Sequence, residues 1–399
     1  MTTAPDKAVR FPFDVSELDV PEEFAALRAD RPVLRVELPF GSEGWLVSRY
    51  EDVRTVLSDP RFSRAATVGA DIPRTSPPTT QPGNLMAMDP PEHTRLRRLV
   101  ASGFTNRNIQ RWEPRIGQVV AELITDMRRH GAPVDLVEHY SGLLPVTVVC
   151  ELLGVPVADR RLFQRFAEIV FATTAATAEE MAQAGADLTE YLAAHIARRR
   201  EKPEDDLISQ LVAVRDEDED RLSEEELIAM AGSILVAGHE STANEISNFV
   251  YTLLTSGSWA QLVARPDRLD TAIEELLRYV ALGSGYSPPR IALEDLELGG
   301  QLIRAGESVI ANLISANRDE ATFEGADRLD LDRRHNPHLS FGFGPHHCLG
   351  AQLARLELRV GLGALLREFP ALDFATDAQG VVWRVGTRAR GPREMLIRW

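Results

Sequence analysis

From about residue 92 to residue 280, apolar side chains recur at three- and four-residue intervals, and strict alternation is confined to a few short runs. The pattern predicts a mainly helical chain. The run VLRVELPFGSEGWLVSRY alternates around a glycine turn and predicts a hairpin, while DLELGGQLIRAGESVIANLISAN predicts short strands around Gly-Gly and Ala-Gly turns. The clearest helix opens at Ser223, whose hydroxyl caps it while Glu226 completes a capping box, and it runs to Ser256-Gly257. At about 1.5 Å per residue it would be roughly 50 Å long. Its middle, IAMAGSILVAGHESTANEI, is apolar nearly all round, so the helix is expected to be buried. Residues 63–87, SRAATVGADIPRTSPPTTQPGNLMA, follow neither period; loops of this length are often lids or binding loops.

A chain of 399 residues with 44% hydrophobic content can bury a large core. Its 60 acidic and 44 basic residues leave a formal charge of −16, which disfavours nucleic acid and anionic membrane as partners. No stretch, from MTTAPDKAVRFPFDV onward, has the apolar length of a signal peptide or a membrane span, so the expected location is cytoplasmic. A reducing cytosol argues against a disulfide between the two cysteines, Cys150 and Cys348. Cys150 lies in LLPVTVVCELLG and reads as a small buried thiol.

Cys348 has a different setting, HLSFGFGPHHCLGAQLARLE, residues 338–357. Gly342 and Gly344 permit a tight turn, and CLGAQLARLELRV continues as an amphipathic helix with Leu349, Leu353, Leu356 and Val360 on one side. At a helix N-terminus the dipole and free amides favour thiolate over thiol, the form that binds metal or attacks an electrophile. A zinc site from His338, His346, His347 and Cys348 would strain neighbours in sequence that must converge on one tetrahedron. A redox dithiol lacks a second cysteine within reach, and the glycines do not match a dinucleotide fingerprint. The remaining reading is a lone thiolate on an iron porphyrin.

FGFGPHHCLG resembles the haem-ligand loop of the cytochrome P450 monooxygenases, with Phe341, Gly344, His346, Cys348 and Gly350 in its fixed slots. The resemblance runs from about residue 11 to the end. It implies a mainly α P450 fold with a small β subdomain, a single haem domain over residues 1–399, and haem b ligated by Cys348. An axial anionic sulfur donates electron density that promotes O–O cleavage, and nearby amides tune its basicity. EELLR, with Glu275 and Arg278, is similar to the pair that braces the family's core. MDPPEHTRLRRLV supplies His93 and Arg97, YSPPRIALEDLELGG supplies Arg290, and with His346 these resemble the family's partners of the haem propionates. Two carboxylates entering a protein interior need cationic or hydrogen-bonding partners. AGHEST resembles the oxygen-binding motif, in which Glu240 is implied as the proton-relaying acid. Small residues at Ala237 and Gly238 leave room for dioxygen, and a mid-helix hydroxyl can bond back to a carbonyl four residues earlier and open a kink. Ser241 departs from the family's usual Thr, loses the methyl that fixes the rotamer, and shares the role with Thr242.

The implied activity is a monooxygenase that inserts one atom of O2 into, or oxidatively couples, a medium-sized natural-product substrate. Electrons would come from NADPH through an external ferredoxin and its ferredoxin reductase. Arg95, Arg98, Arg107, Arg111, His347, Arg355 and Arg359 are expected to form a basic dock for that acidic donor. By family analogy Ser233, Val236, Ala237 and Tyr286 line the pocket, with the 63–87 loop, FATTAATAEEMAQAG and the GTRARG turn. Two alternatives stand beside this reading. A haem-binding sensor or carrier needs the thiolate but not GHEST, and a peroxide-using haem-thiolate enzyme could tolerate loss of Ser241.

Overall fold

The three- and four-residue period becomes a stack of helices in the computed structural model, which describes residues 7–14, 16–77, 84–217 and 222–399. Glu113–His130, Leu144–Leu153, Arg160–Phe171, Ala178–Glu201, Glu224–Ala237, Glu240–Thr255 and Ala351–Glu368 surround one large apolar core. Cys150 is fully buried there, on a helix with almost no exposed face. Burial pushes its thiol up to about 12, so it stays protonated and inert. Both cysteines are free.

A six-stranded sheet orders its strands as Val9–Arg10, Val33–Glu37, Gly44–Val47, Ser308–Ala311, Arg290–Ala292 and Phe62–Ser63. The predicted hairpin pairs antiparallel with Val33 opposite Val47. Leu296–Leu298 turns back on Gln301–Ile303 through Gly299 and Gly300, both at positive φ, where a side chain would be strained. Arg290 opens a strand inside the larger sheet, with Val309 as its partner, so sheet register fixes its position. The 63–87 stretch forms single turns at Ala65–Thr67 and Leu85–Ala87; residues 78–83 lie outside the described residues. Among the described residues, no helix is long and apolar enough to cross a membrane.

The long helix differs from expectation. Ser223 and Glu226 form the capping box, but the helix ends at Ala237 and a second one, Glu240–Thr255, begins after Gly238 and His239. At the break Ser241 Oγ donates to Ala237 O at 3.2 Å. A Cβ on Gly238 would lie 2.7 Å from Ile234 O and 2.8 Å from Val149 Cγ2, so only glycine allows this close packing. Periodicity does not register the interruption, because apolar positions continue on both sides of it. The helix after Cys348 buries Leu353 and Leu356 as predicted and leaves Leu349 and Val360 half-buried; Leu358, Leu362 and Leu365 bury its other side.

Candidate active site

The Cys348 loop is fixed by its own backbone. Cys348 N donates to Phe341 O at 2.8 Å and His347 N to Gly344 O at 3.0 Å. Gly344 has φ of +70°, and a Cβ there would lie 2.6 Å from Leu57 O, so the turn requires glycine. Cys348 is exposed, yet enough protein surrounds its sulfur that burial raises the thiol pKa. The amides of Gly350 and Ala351 and the guanidinium groups of Arg97 and Arg355 pull the other way. Those are the groups that stabilise an anionic sulfur. Arg355 also lies 4.5 Å over the Phe341 ring. His338 turns aside, its Nε2 3.0 Å from Glu274 Oε2, so no four-ligand zinc arrangement forms around Cys348.

Beside this loop His93, Arg290 and His346 converge with two residues that the sequence reading did not single out, Arg64 and Asp89. The His93 and His346 rings lie 4.2 Å apart. Burial, helped by His93, Arg290 and Arg64 and opposed by Asp89, drives the His346 pKa down to about 3. Burial with Arg64 lowers Arg290 to about 10. Arg64 donates to the carbonyls of Met86 and Pro289, while Asp89 accepts from Ser63 Oγ and Arg64 N. His93 Nε2 and His346 Nδ1 are buried without a partner. Arg97 Nη2 reaches His347 O at 2.5 Å, within electrostatic range of Cys348. Two arginines, Arg64 and Arg290, and two neutral imidazoles thus face one carboxylate, with Arg97 alongside His347. An excess of cations with unpartnered imidazole nitrogens suits a ligand that brings carboxylates of its own. With a sulfur ligand on the adjoining loop, the residues present fit haem.

The helix break forms another wall. Ala237 is exposed and Ser241 half-buried; the expected burial holds for Glu240–Thr255, which packs on Ala351–Glu368, but Glu224–Ala237 is buried only at Leu227, Met230, Ala231 and Leu235. Glu240 Oε1 pairs with Arg384 Nη1 at 2.6 Å and accepts from Asn244 Nδ2 at 3.2 Å; Thr242 is buried beside it. Arg384, 144 positions away in sequence, carried no local signal. A cavity of about 20 Å³, room for one water, is lined by Glu240, Arg384, His239, Ser141, Ser247 and Glu168.

Three of the expected pocket segments meet. Thr387 in the GTRARG turn bridges to Ala172, and Arg388 donates to Ser76 Oγ at 2.6 Å. Tyr286 lies within range of Arg388, Arg64 and Arg74, which oppose the upward pull of burial on its phenol. Ser233 is half-buried with its hydroxyl turned to Ala229 O at 2.8 Å, and Val236 is half-buried against the core. Among the residues expected to form the basic dock, Arg95, Arg355 and Arg359 pair with Glu226, Glu274 and Glu113. Burial, with Arg97 and Arg355 adding, lowers the His347 pKa. Arg98, Arg107 and Arg111 make no ion pair among the described residues.

Glu275 and Arg278 form a fully buried bidentate pair at 2.7 and 2.8 Å. Arg333 Nε at 3.0 Å, Asn336 Nδ2 at 3.1 Å and Asp330 N at 2.9 Å complete the shell around Glu275. Sequence spacing gave the pair; Arg333 and Asn336 lie on an irregular segment with no period to place them.

The Cytochrome P450 family model matches residues 151–263 and 261–374. The chain is 48% identical to nocardicin C N-oxygenase of Nocardia uniformis subsp. tsuyamanensis, over 98% of each chain. It is 47% identical to mycinamicin IV hydroxylase/epoxidase of Micromonospora griseorubida over 100% of both. The crystal structure of HinD with NMFT and NO matches 99% of this chain and 100% of its own, at 45% identity and a TM-score of 0.95. The cysteine loop, the carboxylate cradle and the broken helix therefore belong to a member of the cytochrome P450 family, a monooxygenase that carries haem b on a cysteine thiolate.

Proposed function

We propose that Cys348 would hold the haem iron through its thiolate, that His93, Arg97, Arg290 and His346, joined by Arg64, would hold the propionates, and that the enzyme oxidises a medium-sized natural product. The carrying observation is the set of buried donors with one opposing acid, next to an open thiol that two amides and two guanidinium groups favour as the anion. Bound haem supplies the one-electron and O2 chemistry. The chain's residues do the rest. Gly350 and Ala351 amides hold the sulfur, while Ala237 and Gly238 keep side-chain bulk away from the open face. Ser241 Oγ donates to Ala237 O or turns toward that face, where it orders a proton donor, with Thr242 behind it. Glu240 takes and releases the proton at its carboxylate, and the water-sized cavity beside it gives a way in from Glu168.

The names of the relatives support the substrate class: besides those above, they include a vitamin D(3) 25-hydroxylase and a structure with biaryl coupling reactivity. Hydroxylation, epoxidation, N-oxygenation and coupling all occur among them. Electrons come from a ferredoxin and its reductase in the cytoplasm, with Arg98, Arg107 and Arg111 as the unpaired cations of the dock. The test is the spectrum of the reduced protein under carbon monoxide. A strongly red-shifted thiolate-type Soret band is expected, lost in Cys348→Ala and kept in Cys150→Ala. Retention of that band in Cys348→Ala would overturn the assignment.

A further inference from the structure

Arg388 is a half-buried cation without an acid among the described residues. Its Nη2 donates to Ser76 Oγ, its Nε is buried with no partner, and no carboxylate among the described residues pairs with it. The sequence between Ser76 and Asn84 contains no Asp or Glu either. Three further donors lie close by in the structure or the chain. Ser76, having accepted from Arg388, keeps its own O–H. Thr75 buries a hydroxyl without a partner. Tyr286 has only a 3.5 Å contact to Pro73 O. A guanidinium among hydroxyls, held at the meeting of three loops, is an arrangement that accepts a carboxylate.

We propose that Arg388, with Ser76 and Tyr286, binds a carboxylate of the substrate, so that the natural substrates are carboxylic acids. The inference rests on the reading that these segments line the substrate pocket. A haem propionate is the other source of a carboxylate, and the geometry disfavours it. The groups acting on His346 are His93, Arg290, Arg64 and Asp89, and those acting on Arg290 are Arg64 and Asp89. Arg388 is in neither set; it shares with Arg64 only an influence on Tyr286. Four residues before Arg388, Arg384 pairs with Glu240 at the helix break, so the segment that carries Arg388 is itself tied to that helix.

The test needs no known substrate. ω-(Imidazol-1-yl)alkanoic acids of four to ten carbons, and their primary amides, are titrated into the haem-loaded enzyme, the imidazole shifting the Soret band on binding. At the chain length that spans the pocket, the acid is expected to bind at least tenfold more tightly than its amide. Arg388→Gln removes that preference, Arg388→Lys restores part of it, and imidazole alone binds all three proteins alike. Equal binding of acid and amide at every length, or a preference that survives Arg388→Gln, overturns the proposal. Loss of haem from Arg388→Gln with no change in preference assigns Arg388 to a propionate and also overturns it. Failure to take up haem at all in the wild type would instead overturn the reading on which the inference rests.

Discussion

Two clusters of buried charge lie close in the fold and differ in how they are neutralised. Around Glu275 the charged groups are all partnered: Arg278 and Arg333 share its carboxylate, and the remaining Arg278 donors go to the carbonyls of Asn317, Ala326 and Arg328. Around His346 the donors outnumber the single acid Asp89, and two imidazole nitrogens have no partner. Burial alone therefore does not mark a functional site. A network whose polar atoms are all partnered is complete within the chain, whereas a cluster that keeps buried nitrogens without partners is completed by something that the chain does not contain.

The difference predicts opposite behaviour on mutation. Glu275→Gln keeps the shape and removes the one anion of the closed network, leaving two arginines buried without a counter-charge. A loss of about 3–5 kcal/mol is expected, with or without haem. Chemical unfolding of both forms measures it, and a loss under 1 kcal/mol would mean the network is not closed by charge. Arg290→Leu should act with opposite signs in the two forms. The haem-free protein loses an uncompensated cation and gains roughly 1–2 kcal/mol, while haem is retained at least tenfold more weakly. The same sign in both forms would erase the contrast.

Most of this was legible in sequence where a feature is local. The thiol loop, the Glu275–Arg278 spacing, the two strand regions and the Ser223 capping box all depend on residues within a few positions of one another. What could not be read came from pairings between distant segments. Asp89 and Arg64 complete the cradle across 25 residues, Arg384 meets Glu240 across 144, and Arg333 reaches Glu275 across 58. At the helix break the residues that can kink a helix were legible, and Ser241 does bond back to Ala237 O, but the full interruption was not: Gly238 is required by close contact with Val149, a property of packing that an apolar period does not encode. Counting arginines for a basic dock does not show the glutamates that fold against Arg95, Arg355 and Arg359.

Glu274 sharpens the comparison through pH. Burial pulls its carboxyl upward, but hydrogen bonds from Arg355 and His338 outweigh it and leave the pKa at about 2, below the usual 4.5. A group lowered in the folded state contributes stability above its unfolded value and loses it as pH falls. The contribution is therefore complete above about pH 4.5 and disappears between 4.5 and 2. Its side chain is 32% exposed, so solvent screening reduces the expected size to roughly 1–2 kcal/mol. Glu274→Gln should lower stability at pH 7 by that amount and flatten the acid limb; an unchanged limb would place the acid sensitivity elsewhere.

Ser241→Ala has the smallest expected effect on stability and separates fold from function at the helix break. Its hydroxyl bonds back to Ala237 O at 3.2 Å, a contact that competes with helical hydrogen bonding and adds little to stability. Removing it should leave the unfolding free energy within about 1 kcal/mol of wild type. Catalysis should respond differently, because Ser241 is the half-open hydroxyl beside Glu240, whose carboxylate is already held by Arg384 and Asn244. With Ser241→Ala, NADPH is still consumed but several-fold less of it appears as product, the balance going to hydrogen peroxide. Glu240→Gln slows consumption itself, since the relay loses its exchangeable acid. Ser241→Thr matches or improves the wild-type yield, because the added methyl restricts the hydroxyl rotamer. The measurement is product per NADPH in a ferredoxin-supported assay. A ratio unchanged in both Ser241→Ala and Thr242→Ala would remove the hydroxyls from proton delivery and leave the break as a packing feature made by Gly238.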